Sequence, residues 1–202
     1  MFGSKTRRLE EKEERRKLIL DVAKEIAIVD GWQNLTIRKI CNKINYTAPV
    51  IYQYFENKDG ILLALKKDGF TSVLEQFEAV VNKTEEPEKR LFEFGMVWWS
   101  FSKNNPELYQ VMFNLQGAVC MNYLTKANKS VVEYYIHEFE QINKSVEKTE
   151  RLKLELCDNL IALIHGFISM RMFNKIKSGN SNADNSYKKA LMLFINSIKD
   201  KN

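Results

Sequence analysis

Between residues 31 and 55 the chain carries three basic side chains, Arg38, Lys39 and Lys43, and no acidic one. The same stretch holds uncharged hydrogen-bonding groups, Thr36, Thr47, Tyr52, Gln53 and Tyr54. Cations and hydroxyls without a competing carboxylate suit a polyanion, because phosphates take Lys, Arg and hydroxyl donors whatever the base sequence. Gln53 can pair with an adenine edge, and Ala48 and Pro49 suit thymine methyls. The same residues also fit a plain turn between two core helices with a solvated basic flank.

Apolar spacing indicates what would position these groups. Thr36 can cap a helix by accepting one of its unpaired opening amides. Ile37, Ile40, Cys41 and Ile44 follow at i, i+3, i+4 and i+7 and give that helix one apolar face. Asn45 tolerates the left-handed conformation that ends a helix, and Tyr46 can pack across the turn. Thr47 then caps a second short helix with Pro49 in its first turn, where a missing amide is harmless. Val50, Ile51 and Phe55 can face inward, leaving Ala48, Pro49, Tyr52, Gln53 and Tyr54 outside. A capped helix pair of this kind fits a helix-turn-helix laid on DNA.

The stretch GWQNLTIRKICNKINYTAPVIYQYFENKDGILLAL resembles the DNA-binding domain of the tetracycline-repressor (TetR) family of bacterial regulators. A Gly precedes the capped helix, Thr36 opens it, the apolar spacing runs through Ile44, the triplet Tyr52, Tyr54 and Phe55 follows, and Lys58 opens the next helix. The resemblance implies that Thr36, Tyr52, Tyr54 and Lys58 hold backbone phosphates. It also places Thr47, Ala48, Pro49, Val50 and Gln53 nearest the bases, and Arg38 adds a cation to the same surface. Many relatives have Gly between the two helices; Asn45, which stands here, can adopt the same backbone conformation.

With 202 residues, 45% of them apolar, the chain can bury a substantial core in one or two domains. Its net charge of +5 leans toward the start: residues 1–60 carry 12 Lys and Arg against 9 Asp and Glu, and the remainder 19 against 17. Cys41, Cys120 and Cys157 are too few and scattered for a disulfide framework or a zinc cluster, and small buried side chains are the expected role. No stretch approaches the roughly 20 consecutive apolar residues that span a bilayer, and the start has no secretory apolar core, so a cytoplasmic protein is expected.

Residues 5–16 are dominated by charge and read as a solvated helix or a frayed arm, from which Lys5, Arg7 and Arg8 could reach DNA. A first amphipathic helix is expected over 15–30, with Leu18, Val22, Ile26, Ile19, Ala23 and Ala27 inward and Gly31 ending it. A long helix starts at Asn57 or Lys58, and its apolar stripe from Leu62 to Val81 continues without a flexible linker. Further helices are expected from Glu85, Glu86 and Pro87, from Pro106, over 128–144 and over 150–177. A polar loop over 178–185 and a last helix over 186–199 complete the chain, while 117–125 has no clear period.

No nucleophile, phosphate loop or metal-ligand spacing appears, and His137 and His165 stand apart, so no enzyme and no cofactor are expected. Trp98, Trp99, Phe101, Tyr109, Met112, Phe113, Met121, Met170 and Phe173 could line an adaptable apolar cavity, or simply fill the core. NNPELYQVMF and LIALIHGFISM resemble one class of C-terminal domain in the family, through Asn105, Pro106, Leu108, Tyr109, His165 and Gly166. The aromatic that often precedes the His-Gly pair is absent. His165 bonds either a buried backbone group or a ligand. The two last helices present Leu156, Leu160, Leu163 and Phe167, and Leu191, Phe194, Ile195 and Ile198. These faces either fill one monomer or form a four-helix interface between two copies.

The expected fold is therefore all-α: a three-helix helix-turn-helix DNA-binding domain over 1–60 and a helical ligand-binding and dimerisation domain over 61–202, about nine helices in all. The expected function is that of a homodimeric, ligand-responsive transcriptional regulator, a repressor released from double-stranded palindromic operator DNA by a small apolar or aromatic inducer, with no membrane partner. The alternative is a helical ligand-binding or chaperone-like protein that does not bind DNA.

Overall fold

A computed structural model describes residues 2–115, 126–146, 149–177 and 179–199, with the side chains of 2–5, 126–129, 180 and 181 left aside. Among the described residues every regular element is helical: α1 Phe2–Asp30, a single 3-10 turn Trp32–Asn34, α2 Ile37–Ile44, α3 Ala48–Tyr52, α4 Lys58–Val81, α5 Pro87–Asn104, α6 Pro106–Met112, α7 Lys126–Ile142, α8 Glu150–Met172 and α9 Asn180–Ile198. The described residues pack as two compact units, those within 1–70 and 105–123 and those within 71–104 and 124–202.

In the first unit Ile19, Ala23, Ile26 and Ala27 of α1 form the buried row that their spacing predicts. Leu18 does not join it: it is 41% exposed, and Leu20 is buried instead. The charged segment over 5–16 belongs to α1 itself, one 29-residue helix, held along its surface by pairs such as Arg7 to Glu11 at 2.9 Å. Gly31 ends α1 at φ 80°, a left-handed conformation that a side chain would strain. The next residues drop Trp32 and Leu35 into the core, where they meet Ile40, Ile51, Ile61, Leu62 and Leu65. α6 returns to this same core through Val111, which is fully buried.

The second unit is built on aromatic packing. Phe77 and Phe94 stack with centroids 4.1 Å apart, and Trp99 stacks on Tyr187 at 4.4 Å. Gly95 permits the crossing of α5 and α9, since a Cβ there would sit 2.6 Å from a Leu191 methyl; the Tyr187 hydroxyl donates to the Gly95 carbonyl at 2.7 Å. The polar segment expected as a loop over 178–185 is helical from Asn180, where α9 begins, and residue 178 lies outside the described residues. Asp184 has partners on α5: it accepts from the Trp99 indole and the Lys103 ammonium, each at 2.9 Å, and Ala183 beside it is buried. Helix formation there brings Asp184, which in isolation looks like a solvent-facing loop residue, to those donors.

Candidate nucleic-acid interface

The helix pair forms as the cap spacing predicts. The Thr36 hydroxyl accepts from the Lys39 amide at 3.2 Å and fixes the start of α2. Asn45 takes φ 55° and ψ 37°, the left-handed stop that lets the Tyr46 amide close onto the Cys41 carbonyl at 3.1 Å. Ile40 and Cys41 face the core, and Ile37 and Ile44 pack at its edge. Thr47 stands at the N-cap of α3 with Pro49 in the first turn, but its side chain makes no capping bond. Fully buried Ile51, together with Phe55, anchors α3.

What this leaves outside is a polar surface. Thr36, Arg38, Thr47, Pro49, Tyr52 and Gln53 are exposed, Tyr52 at 54%. Ala48, Val50, Tyr54 and Lys58 are half-buried, and Ala48 and Tyr54 pack against the core from the rim. Lys58 turns its ammonium to the Trp32 carbonyl at 2.8 Å, so one of its three donors is engaged within the domain. Burial lowers its pKa from 10.5, against the opposing pull of Asp59.

Two of the three cations counted between residues 31 and 55 meet carboxylates from outside that window. Lys39 pairs with Asp30 at 2.5 Å and Lys43 with Glu25 at 3.0 Å, both across to α1. Arg38 has no acidic partner among the described residues. A further basic row lies beside α3: Arg8, Lys12 and Arg15, with Glu11, line a recess of about 310 Å³ together with Gln53 and Tyr54. Lys12 and Arg15 were not among the residues expected to reach a nucleic acid. Their positions at 8, 12 and 15 follow the i, i+4, i+7 rule that marks one helical face, and that signal becomes usable once α1 is known to be helical to its start.

Residues 19–65 match the family model of bacterial regulatory proteins, tetR family. The matched segment contains α2, α3 and every residue of the candidate surface except those of the early α1 row. No curated protein matches the chain at a significant level. Among solved structures, a transcriptional regulator of the TetR/AcrR family from Thermobifida fusca YX-ER1 is similar at 20% identity and a TM-score of 0.65, over 93% of this chain and 100% of that one. A protein of unknown function from Rhodococcus sp. RHA1 is similar at 16% identity and a TM-score of 0.73, over 92% and 95%. A TetR variant from Acinetobacter baumannii AYE, in complex with minocycline, is similar at 15% identity and a TM-score of 0.64, over 89% and 93%. The shared property at these identities is the all-helical, TetR-like fold with its N-terminal helix-turn-helix.

The aromatic and methionine set is divided between the two units. Trp98, Trp99 and Phe101 are buried in the second, where the Trp98 indole donates to the Tyr135 hydroxyl at 2.5 Å and Arg171 stacks 5.0 Å over Trp99. Tyr109 and Met112 are buried in the first, with Phe113 tilted against Tyr109 at 4.8 Å. Met170 and Phe173 are exposed, and Met121 lies outside the described residues. His165 is half-buried, and desolvation lowers its pKa to about 4, which keeps the imidazole neutral near pH 7. Of the two helix rows, Leu160, Leu191, Ile195 and Ile198 are buried within their own unit, while Leu156, Leu163, Phe167 and Phe194 are half-buried.

Proposed function

We propose that this chain is a ligand-responsive, DNA-binding transcriptional regulator that works as a homodimer in the cytoplasm and represses from a palindromic operator. The observation that carries the reading is the helix pair of α2 and α3. It is closed by a Thr36 cap and a left-handed Asn45, it displays Thr47, Pro49, Tyr52 and Gln53 to solvent, and it lies inside the segment matching the tetR family. In this reading Thr36, Arg38, Tyr52, Tyr54 and the remaining donors of Lys58 hold phosphates. Residues 47–50 and Gln53 approach base edges in the major groove. The roles are assigned as 1–60 for DNA and 61–202 for ligand and partner, with Ile61, Leu62, Leu65 and Val111 lending side chains to the core beneath the helix pair.

Dimerisation is supported by apolar surface on α8 and α9 that the chain does not cover. Leu193 is 71% exposed and Met192 about half, and on α8 half-buried Leu163 and Phe167 flank Gly166, where an added Cβ would meet open space. Packing that surface against a second copy makes a four-helix interface and sets the separation of two recognition helices, which must match about one turn of DNA, roughly 34 Å. A small apolar or aromatic inducer that binds a differently spaced dimer better by about 1–3 kcal/mol lowers DNA affinity about 5- to 150-fold. That one protein of the same fold is found with minocycline supports a small-molecule effector.

The test is retention of the DNA flanking the chain's own coding region. Sequence-specific retention that weakens steeply with salt is expected for the parent chain. Tyr52→Phe, which removes one exposed hydroxyl and leaves the ring, is expected to weaken it several-fold, on the order of 1 kcal/mol, with unchanged thermal stability. Absence of specific retention by the parent chain refutes the regulator reading; unchanged retention in both Tyr52→Phe and Arg38→Ala refutes the phosphate assignments.

A further inference from the structure

Ahead of the helix pair, α1 carries a cationic surface of its own. Arg8, Lys12 and Arg15 are exposed and, four and three residues apart, follow one face of the helix over about 10 Å. With Glu11 they line the recess of about 310 Å³ that also takes in Gln53 and Tyr54 at the end of α3. Because α1 is one helix from Phe2 to Asp30, these cations stand on a rigid element and not on a loose arm.

The neighbouring charges are spent differently. Arg7, expected from its position to reach DNA, pairs instead with Glu11 at 2.9 Å, so the one carboxylate of the recess is already balanced. Arg16 meets Glu13 at 3.4 Å and holds its guanidinium 5.5 Å over the Phe55 ring. Arg8, Lys12 and Arg15 have no ion-pair partner among the described residues. Three like charges on one helix face repel one another, and an anion set among them removes that repulsion. A line of cations about 10 Å long matches a chain of phosphates better than one compact anion, since duplex DNA carries a charge about every 1.7 Å of its axis.

We propose that Arg8, Lys12 and Arg15 hold backbone phosphates of duplex DNA, on a second contact line beside the one that the helix pair makes. The inference rests on the regulator reading and extends its surface onto a row that precedes the residues 19–65 matching the tetR family. Gln53 borders the same recess, so a phosphate seated there lies next to the side chain assigned to a base edge and fixes its register. Contacts of this kind add affinity for any sequence and carry no base preference of their own.

The test measures affinity against salt, by filter binding from about 50 to about 200 mM, for the DNA flanking the coding region and for an unrelated duplex of equal length. In the triple variant Arg8→Gln, Lys12→Gln and Arg15→Gln the slope of log affinity against log salt is expected to become shallower by about 0.9 for each phosphate released, about 2.7 for three. The change is expected to be the same on both duplexes. Lys83→Gln with Lys89→Gln and Lys144→Gln removes equal charge from exposed residues of the second unit and is expected to keep the parent slope. Arg8→Lys with Arg15→Lys, which keeps the charge, is expected to keep it too. Circular dichroism checks the helical fold of each variant. If the parent chain binds the flanking DNA and the triple variant keeps its slope, or loses no more than the control, this inference falls and the regulator reading stands. A slope lost in the lysine variant as well also overturns the inference. A parent chain that binds neither duplex overturns both.

Discussion

Lys39 and Lys43 lie on α2 with the proposed phosphate contact Arg38, yet each is paired with a carboxylate of α1, Asp30 at 2.5 Å and Glu25 at 3.0 Å. All four side chains are more than a third exposed, so each pair contributes only about 0.2–1 kcal/mol to folding. The variant Asp30→Asn with Glu25→Gln is therefore expected to fold normally while releasing two ammonium groups. If those groups then meet phosphates, the slope of log affinity against log salt steepens by about 0.9 for each, or about 1.8 together. Over a fourfold rise in salt that is about tenfold more loss of affinity than the parent chain suffers. Filter binding to any duplex DNA at about 50 and about 200 mM salt reads this directly, because the phosphate term is independent of sequence. A second variant, Glu85→Gln with Glu86→Gln, adds the same charge to exposed residues of the second unit and controls for the net charge itself. Equal slopes in the two variants refute the placement of the α2 surface against DNA; a steeper slope in the first alone supports it.

Lys58→Met keeps the aliphatic stem but removes the donor to the Trp32 carbonyl; a charge-assisted bond at 2.8 Å is worth about 1.5–3 kcal/mol, so a lower denaturation midpoint is expected alongside any loss of DNA binding. Asp184 has its pKa lowered from 3.8 by the Lys103 hydrogen bond first, with the Trp99 indole adding to it and burial opposing. A lowered carboxylate contributes stability that is fully present above its unfolded pKa and lost as pH falls through the folded one. Denaturant titrations of Asp184→Asn are accordingly expected to show less acid dependence below about pH 4 than the parent chain, and an unchanged acid limb refutes the assigned role of the pair.

Local rules carried the reading of the helix pair because the decisive forces there are local. A hydroxyl at Thr36 reaching an amide three residues on, and a left-handed Asn45, are settled within one turn of backbone. Sequence alone was less informative wherever a group's partner came from far along the chain. Window-by-window charge made residues 31–55 look uncompensated, whereas Asp30 and Glu25 reach in from α1. The start of α9 was missed for the same reason, since Asp184 depends on Trp99 and Lys103, more than eighty positions earlier. The return of α6 to the first unit rests on Val111 finding the core of α1 and α4, and nothing in the residues around 106–112 states which core they join.

The same distinction bears on where an effector gains most. Trp98 and Trp99 have their indole donors satisfied by Tyr135 and Asp184 and their faces against Phe101, Tyr187 and Arg171. A ligand seated among them must first separate groups that are already paired, and each broken buried bond costs about 1–3 kcal/mol before any contact to the ligand counts.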